Sequence, residues 1–257
     1  MRLTNEQWAI LAPLLPPPQK RTRRGRPRRG DKELLEGILW VLRTGAQWER
    51  LPRPDYPPKS TCFERFQEWN ERAVFPNVLG QLYELLEEQE LLDLREAFID
   101  GTFSAAKKGA RMFGPTKRGK GTKIMLMVDA SGLPLAVHTV SASPSEVTLV
   151  HDTLEASFGL DFPRRLIGDK AYDSDPLDAE LATLGIEMIA PNRKNRKHKT
   201  QDGRPLRRYK RRWKVERTIA WLQSFRRVRT RDERKAQNFL GFVQLACILI
   251  LLRRISG

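Results

Sequence analysis

Residues 97–191 show three strand patterns in a row and then alternate between helix and strand, an order that restricts the topologies open to the chain. AFIDGTF (97–103) alternates and is expected to end as a strand at an acid, Asp100. TKIMLMVD (122–129) is a second strand, and Ser131-Gly132 turns it into a third, LPLAVHTVS (133–141). A helix over about 145–157 is followed by the short apolar strand RLIG (165–168), with Asp169 standing where that strand gives out. Ser174 or Asp175, followed by Pro176, opens a helix over 175–184, because a small polar cap ahead of a proline is a helix-start signal. Gly185 closes it and feeds the strand IEMIAP (186–191). An acid at the carboxyl end of a strand that feeds a helix lies where open α/β sheets place their chemistry. A strand-end Asp taken alone is equally a cap or a turn former.

The order β-β-β-α-β-α-β is that of the ribonuclease H-like fold, an α/β class with a mixed five-stranded sheet flanked by helices. In it the first and fourth strands are neighbours, so Asp100 and Asp169 converge at the carboxyl edge of the sheet. A third acid is expected from a long helix beside that edge, over about 206–225, in the stretch RRWKVERTIAWL (211–222). There Val215, Ile219 and Leu222 share one face, with Glu216 at its margin. An acid against an apolar stripe is poorly solvated, which marks a ligand or an ion-pair partner. Pairing with Arg212 or Arg217 on a solvated face is the alternative. Three oxygen donors suit Mg²⁺, with Mn²⁺ as a substitute. Two ions about 4 Å apart serve phosphodiester cleavage. Asp100 would then bridge both, Asp169 hold one and Glu216 the other. Asp129, in an apparent turn, is read as a turn former.

Ahead of this core, residues 1–96 read as an all-helical unit. Thr4 and Gln7 have capping-box spacing, with Leu3 and Trp8 placed for a hydrophobic staple, and open a helix from Asn5 to about Leu15. Asp31 is expected to cap a helix closing near Gly45, and Thr61 with Glu64 to open a third as a capping box. A fourth runs from about Pro76 to Glu90. The 45–59 connection is too long for a helix-turn-helix, so the unit is a helical DNA-binding module with the helix after Ser60 offered to the major groove. Division at 96/97 leaves a catalytic unit over 97–232 and a buried C-terminal helix over 233–257. Cys62 and Cys247 are far apart without CxxC spacing and read as buried thiols of a reducing cytoplasm. The apolar run Phe239–Leu252, at fourteen residues, is short of the roughly 20 needed to span a bilayer. No membrane association and no leader peptide are expected.

The chain carries a net charge of +16, which points to a polyanionic partner. Eight bases against one acid occupy 2–29, and thirteen against two occupy 193–217, whereas 31–100 is acidic by seven charges. In the linker QKRTRRGRPRRG (19–30), Arg23, Arg24, Arg26 and Arg28 form a GRPR-centred arm of minor-groove type or a flexible phosphate-contacting loop. The six tryptophans read mostly as core, with Trp213 a candidate to stack on a base.

The stretches FIDGTF, GKGTKIMLMVDASGLPL (119–135), LIGDKAYDSDPL (166–177), APNRKNRK (190–197) and RRWKVERTIAWLQSFRRVRTR (211–231) together resemble bacterial insertion-sequence transposases of the DDE class, in insertion-sequence family five. TNEQWAILAPLLP and TGAQWERLP (44–52) resemble that family's N-terminal helical domain. The last motif of such enzymes reads Y-x2-R-x3-E-x6-K; Tyr209, Arg212 and Glu216 match, and Gln223 stands where the Lys is expected. The resemblance implies metal-dependent cleavage at the terminal inverted repeats, then attack of the freed 3′-OH on target DNA. Tyr209, Arg212, Lys214 and Arg217 would contact DNA near the cut, and Lys123 with the basic 107–123 loop would hold the flanking duplex. Residues 1–75 would recognise the repeats, and two copies would meet on DNA as a homodimer near the nucleoid. No nucleotide cofactor is expected, since the chain has no GxxxxGK[ST] loop. A non-catalytic DNA binder, and a nuclease that cuts without joining, are the rival readings.

Overall fold

The computed structural model describes residues 2–17, 28–107, 114–116, 119–197 and 203–257. Four helices come first: α1 (Asn5–Leu11), α2 (Asp31–Thr44), α3 (Lys59–Glu71) and α4 (Val74–Glu88). Thr4 caps α1 with both halves of the capping box in place, and a 3₁₀ turn over Ala12–Leu14 takes up the rest of the expected helix. Gly45, at φ 66°, ends α2 in the left-handed conformation that glycine adopts without strain. Two expected caps lie elsewhere. Gly30 takes the N-cap position of α2, which moves Asp31 into the first turn, where its carboxylate pairs with Arg65 of α3. Pro58 takes the N-cap of α3, three residues ahead of Thr61, because a proline's missing N–H costs nothing at a helix start.

The sheet contains β1 (Ala97–Ala106), β2 (Gly114–Thr116), β3 (Gly119–Asp129), β4 (Pro134–Ser141), β5 (Arg165–Ile167), β6 (Glu187–Ile189) and β7 (Thr230–Arg231). The main order across it is β4-β3-β1-β5-β6, with β3 antiparallel to β1 and β4, and β5 parallel to β1 and β6. This is the expected ribonuclease H-like sheet. The short strand β2 extends the margin of β3, and β7 pairs Ala105 and Ala106 of β1. Helices α5 (Val150–Glu155) and α6 (Asp175–Thr183) follow β4 and β5, and α7 (Gly203–Leu206), α8 (Trp213–Ser224), α9 (Arg226–Arg229) and α10 (Ala236–Ile255) complete the chain. The helix expected over 206–225 is interrupted by a 3₁₀ turn over Arg207–Arg211. Like charges four apart, Arg207 with Arg211 and Arg208 with Arg212, disfavour a regular helix there.

Strand alternation sends Phe98 and Asp100 to the face of the sheet covered by α8 and α10, and Ala97, Ile99 and Gly101 to the face covered by α5, α6 and Tyr172. The first face shares one core with the N-terminal helices. Phe66 of α3 stacks on Phe242 of α10 at 4.4 Å, and Trp48 lies 6.1 Å from the same ring. The change in sequence texture at residue 97 therefore marks a change of element, and the hydrophobic core continues across it. By length and composition α10 is long and apolar enough to cross a membrane, and in the fold it is largely buried within this core.

Candidate active site

Asp100 sits fourth in β1, earlier than the strand end expected from sequence, since β1 continues to Ala106. In the parallel pairing Ala97 faces Leu166 and Phe98 faces Ile167, so the same register carried two residues on sets Asp169 level with Asp100. Between these pairs and β7 at Ala105, no strand among the described residues takes that edge of β1. The two acids border this notch. Asp169 also caps the 3₁₀ turn Lys170–Tyr172, accepting from the Ala171 N–H at 2.7 Å. Its capping role and its place at the sheet edge coexist.

The third acid arrives from α8, packed on the same side of the sheet as Asp100. Glu216 does not lie against the apolar stripe as expected: its side chain is 54% exposed. It is reached by Arg212, whose Nη2 lies 2.7 Å from Glu216 Oε1 while its Nη1 lies 3.2 Å from Asp100 Oδ2. One guanidinium therefore joins the first and third acids. Burial pushes the Asp100 carboxyl up to about 6; Arg212 pulls it down, and the charges of Glu146 and Asp169 push it up. Gln223, at the expected Lys position, donates from Nε2 to Thr102 Oγ1 at 2.6 Å and pins the end of α8 to β1 beside Asp100.

Asp100, Asp169 and Glu216 as a donor set are all oxygen and all anionic, which suits a hard divalent cation. As the side chains stand, no group of three or more His, Cys, Asp or Glu among the described residues is close enough together to hold an ion. The space between Asp100 and Glu216 already accommodates a cationic group, that of Arg212, so charge and chemistry fit a metal once that guanidinium swings aside.

The residues expected at DNA divide into three groups. Arg23, Arg24 and Arg26 lie outside the described residues. Arg28 is drawn onto α3, where it pairs with Glu68 at 2.7 Å. Lys214 donates to the carbonyl of Ala130, and Arg217 to that of Ser131 at 2.7 Å, so both support the β3–β4 turn. Arg217 is also flanked by the half-exposed rings of Trp213 and Trp221, at 4.9 and 4.8 Å, which removes these two tryptophans from the core. Tyr209 stays beside the acids, its ring 5.9 Å from the Arg212 guanidinium. Lys123 donates to the Pro144 carbonyl at 2.6 Å, on the far face of the sheet. The exposed positions of α3 are Lys59, Ser60, Phe63, Glu64 and Glu71, a face of mixed charge on which Lys59 pairs with Glu49 at 3.2 Å. Asp129 is fully buried and accepts from the N–H groups of Asp93, Ser131 and Leu133, a turn former as expected.

Glu146, on a 3₁₀ turn over Glu146–Leu149, also lies beside Asp100 and carries no sequence signal of its own. An acid in a first helical turn is what the helix dipole alone favours, so nothing local distinguishes it.

A model of the transposase DDE domain matches residues 92–251. The chain belongs to the DDE transposases. A second model, a putative transposase of the IS4/5 family (DUF4096), matches residues 3–79 of this transposase. Over 145 residues it is 37% identical to the putative transposase for insertion sequence element IS402 of Burkholderia cepacia, a match that covers 53% of this chain and 65% of that protein. It is 33% identical over 132 residues to the putative transposase for insertion sequence element IS6501 of Brucella ovis, covering 51% of this chain and 98% of that protein. Among solved structures, the piggyBac transposase in a synaptic complex with hairpin DNA superposes with a TM-score of 0.51 at 11% identity, over 98% of this chain and 71% of that one. That likeness establishes the shared fold.

Proposed function

We propose that this DDE transposase binds the terminal inverted repeats of its insertion sequence, hydrolyses the phosphodiester at each end and joins the freed 3′-OH to target DNA. The observation that supports the proposal is the level placement of Asp100 on β1 and Asp169 just past the end of the adjacent parallel strand β5, with Glu216 linked to Asp100 through Arg212. Asp100, Asp169 and Glu216 would hold Mg²⁺, two ions in the full site, with Mn²⁺ as a substitute. Such ions supply an activated water or 3′-OH and stabilise the leaving oxygen. Asp100 must be ionised to take part, and at neutral pH it is, although burial brings its titration close to that range. Arg212 is placed to exchange its carboxylate partners for a DNA phosphate, and Tyr209 supports its guanidinium from below. The basic blocks at 19–30 and 193–217 would track the duplex by phosphate contact, which sets register without reading sequence. Both element ends must be held together, so the working form on DNA is at least a dimer.

A strand-transfer assay tests this, with Mg²⁺ or Mn²⁺, a DNA end from the flanking element and a plasmid target, comparing wild type with Asp169→Asn. Joining by wild type, with a variant that binds DNA but neither cuts nor joins, supports the proposal. Binding by wild type with neither step points to a non-catalytic DNA binder, and cutting without joining to a nuclease.

A further inference from the structure

We propose that Glu146 is a fourth carboxylate of this acid site, approaching from the face of the sheet opposite α8 and serving the same divalent cation. The inference rests on the metal-dependent reading above and adds a residue to it.

Three observations carry it. First, Glu146 lies against the backbone of β1 immediately next to Asp100. A Cβ built on Gly101 would stand 2.6 Å from Glu146 Oε1 and 2.7 Å from its Cδ, so only glycine at 101 lets the carboxylate approach this closely. Second, Gly101 lies in the stretch of β1 that has no strand partner on its β5 side among the described residues, next to the notch bordered by Asp100 and Asp169. Across it the charge of Glu146 reaches Asp100, and the charges of Glu146, Asp100 and Asp169 all act on the Tyr172 phenol. Third, the side chain is held in place. Tyr172, wholly buried, donates its O–H to Glu146 Oε2 at 3.2 Å, and Lys123 Nζ lies 3.8 Å from Oε1. Burial raises the Tyr172 phenol well above its usual range, so it remains a donor.

Fixing a third negative charge beside Asp100 and Asp169 is costly for the protein alone. Lys123 offsets part of that cost on the far face and Arg212 part on the near one, and neither guanidinium nor ammonium reaches all of the carboxylates. A divalent cation in the notch would offset all of them together. An acid that served only to anchor Tyr172 and Lys123 would need its hydrogen-bond acceptor and its shape, which an amide retains.

The experiment titrates the full-length protein with Mn²⁺ alone and follows the signal of the free ion by electron paramagnetic resonance, for wild type, Glu146→Gln and Asp169→Asn. Loss of Mn²⁺ affinity by about tenfold or more in Glu146→Gln, with an unchanged circular dichroism spectrum, is the expected result. Wild-type affinity in Glu146→Gln, alongside weakened uptake in Asp169→Asn, overturns the assignment of Glu146 and leaves the metal site intact. Wild-type affinity in Asp169→Asn, or no uptake by wild type, overturns the metal reading itself. If the amide variant does not fold, Glu146→Asp, which draws the same charge back by one methylene, decides by the same criterion.

Discussion

The guanidinium of Arg212 stands 3.2 Å from the carboxylate of Asp100, and its second nitrogen reaches Glu216 at 2.7 Å. A cationic side chain thus lies between two of the acids proposed to hold a metal, on the helix that supplies one of them. Arg212→Met is expected to lower end joining by about a hundredfold, the scale on which a charge-stabilising donor acts in such reactions. Mn²⁺ uptake should stay the same or tighten, because the acids lose a competing cation. Uptake that weakened in step with activity would show that Arg212 organises the acids instead of engaging DNA.

Asp100 titrates near 6 in the folded protein, above the ordinary aspartate value of 3.8. Mn²⁺ uptake by wild type should therefore fall as the pH is lowered through about 6, where protons compete for this ligand. The same shift bears on stability. A carboxyl raised on folding is tolerated in full below 3.8 and costs stability as pH rises through about 6. Asp100→Asn is expected to be more stable than wild type at pH 8, by up to about 3 kcal/mol, with the difference closing by pH 4. Urea denaturation at the two pH values checks this, and a constant difference would refute it.

Gln223 holds Thr102 at 2.6 Å and ties α8 to β1 next to Asp100. Gln223→Ala should cost about 1 kcal/mol of stability, the usual net worth of one hydrogen bond, and reduce end joining by loosening the helix that carries Glu216. Denaturation midpoints together with a joining assay read the two effects, and an unchanged pair would relieve Gln223 of any positioning role.

Asp129 is the buried acid with the opposite function. Its carboxylate takes three backbone N–H groups, those of Asp93, Ser131 and Leu133, at 2.8–3.0 Å. Asp129→Ala leaves these donors without a partner and should cost about 3 kcal/mol or more. Mn²⁺ affinity of the folded fraction should not move, and a loss comparable to that of Asp169→Asn would place Asp129 in the metal site after all.

Where sequence and structure part, the cause is local. Asp31 and Thr61 have the chemistry of caps, but Gly30 and Pro58 take the cap positions by their backbone constraints. The expected helix over 206–225 breaks where five basic residues come within six positions (207–212), since repulsion between successive turns is not visible in apolar periodicity. Glu216 shares a helix margin with Val215, yet its exposure is set by what packs over that margin, and there the packing leaves it open to solvent.

The sequence by itself determined the main order of strands and helices in the sheet, the places of Asp100, Asp169 and Glu216 along it, and the family to which the chain belongs. Those properties live in short-range patterns: period-two alternation, glycine and proline at turns, and motif spacing. Tertiary structure alone decided that the N-terminal helices and α10 share one core with the sheet, and that Lys214 and Arg217 brace a turn. It also brought Glu146 against Gly101, forty-five residues away in the chain. These depend on which elements meet across the sheet, and a side chain carries no local mark of a partner that only folding brings within reach.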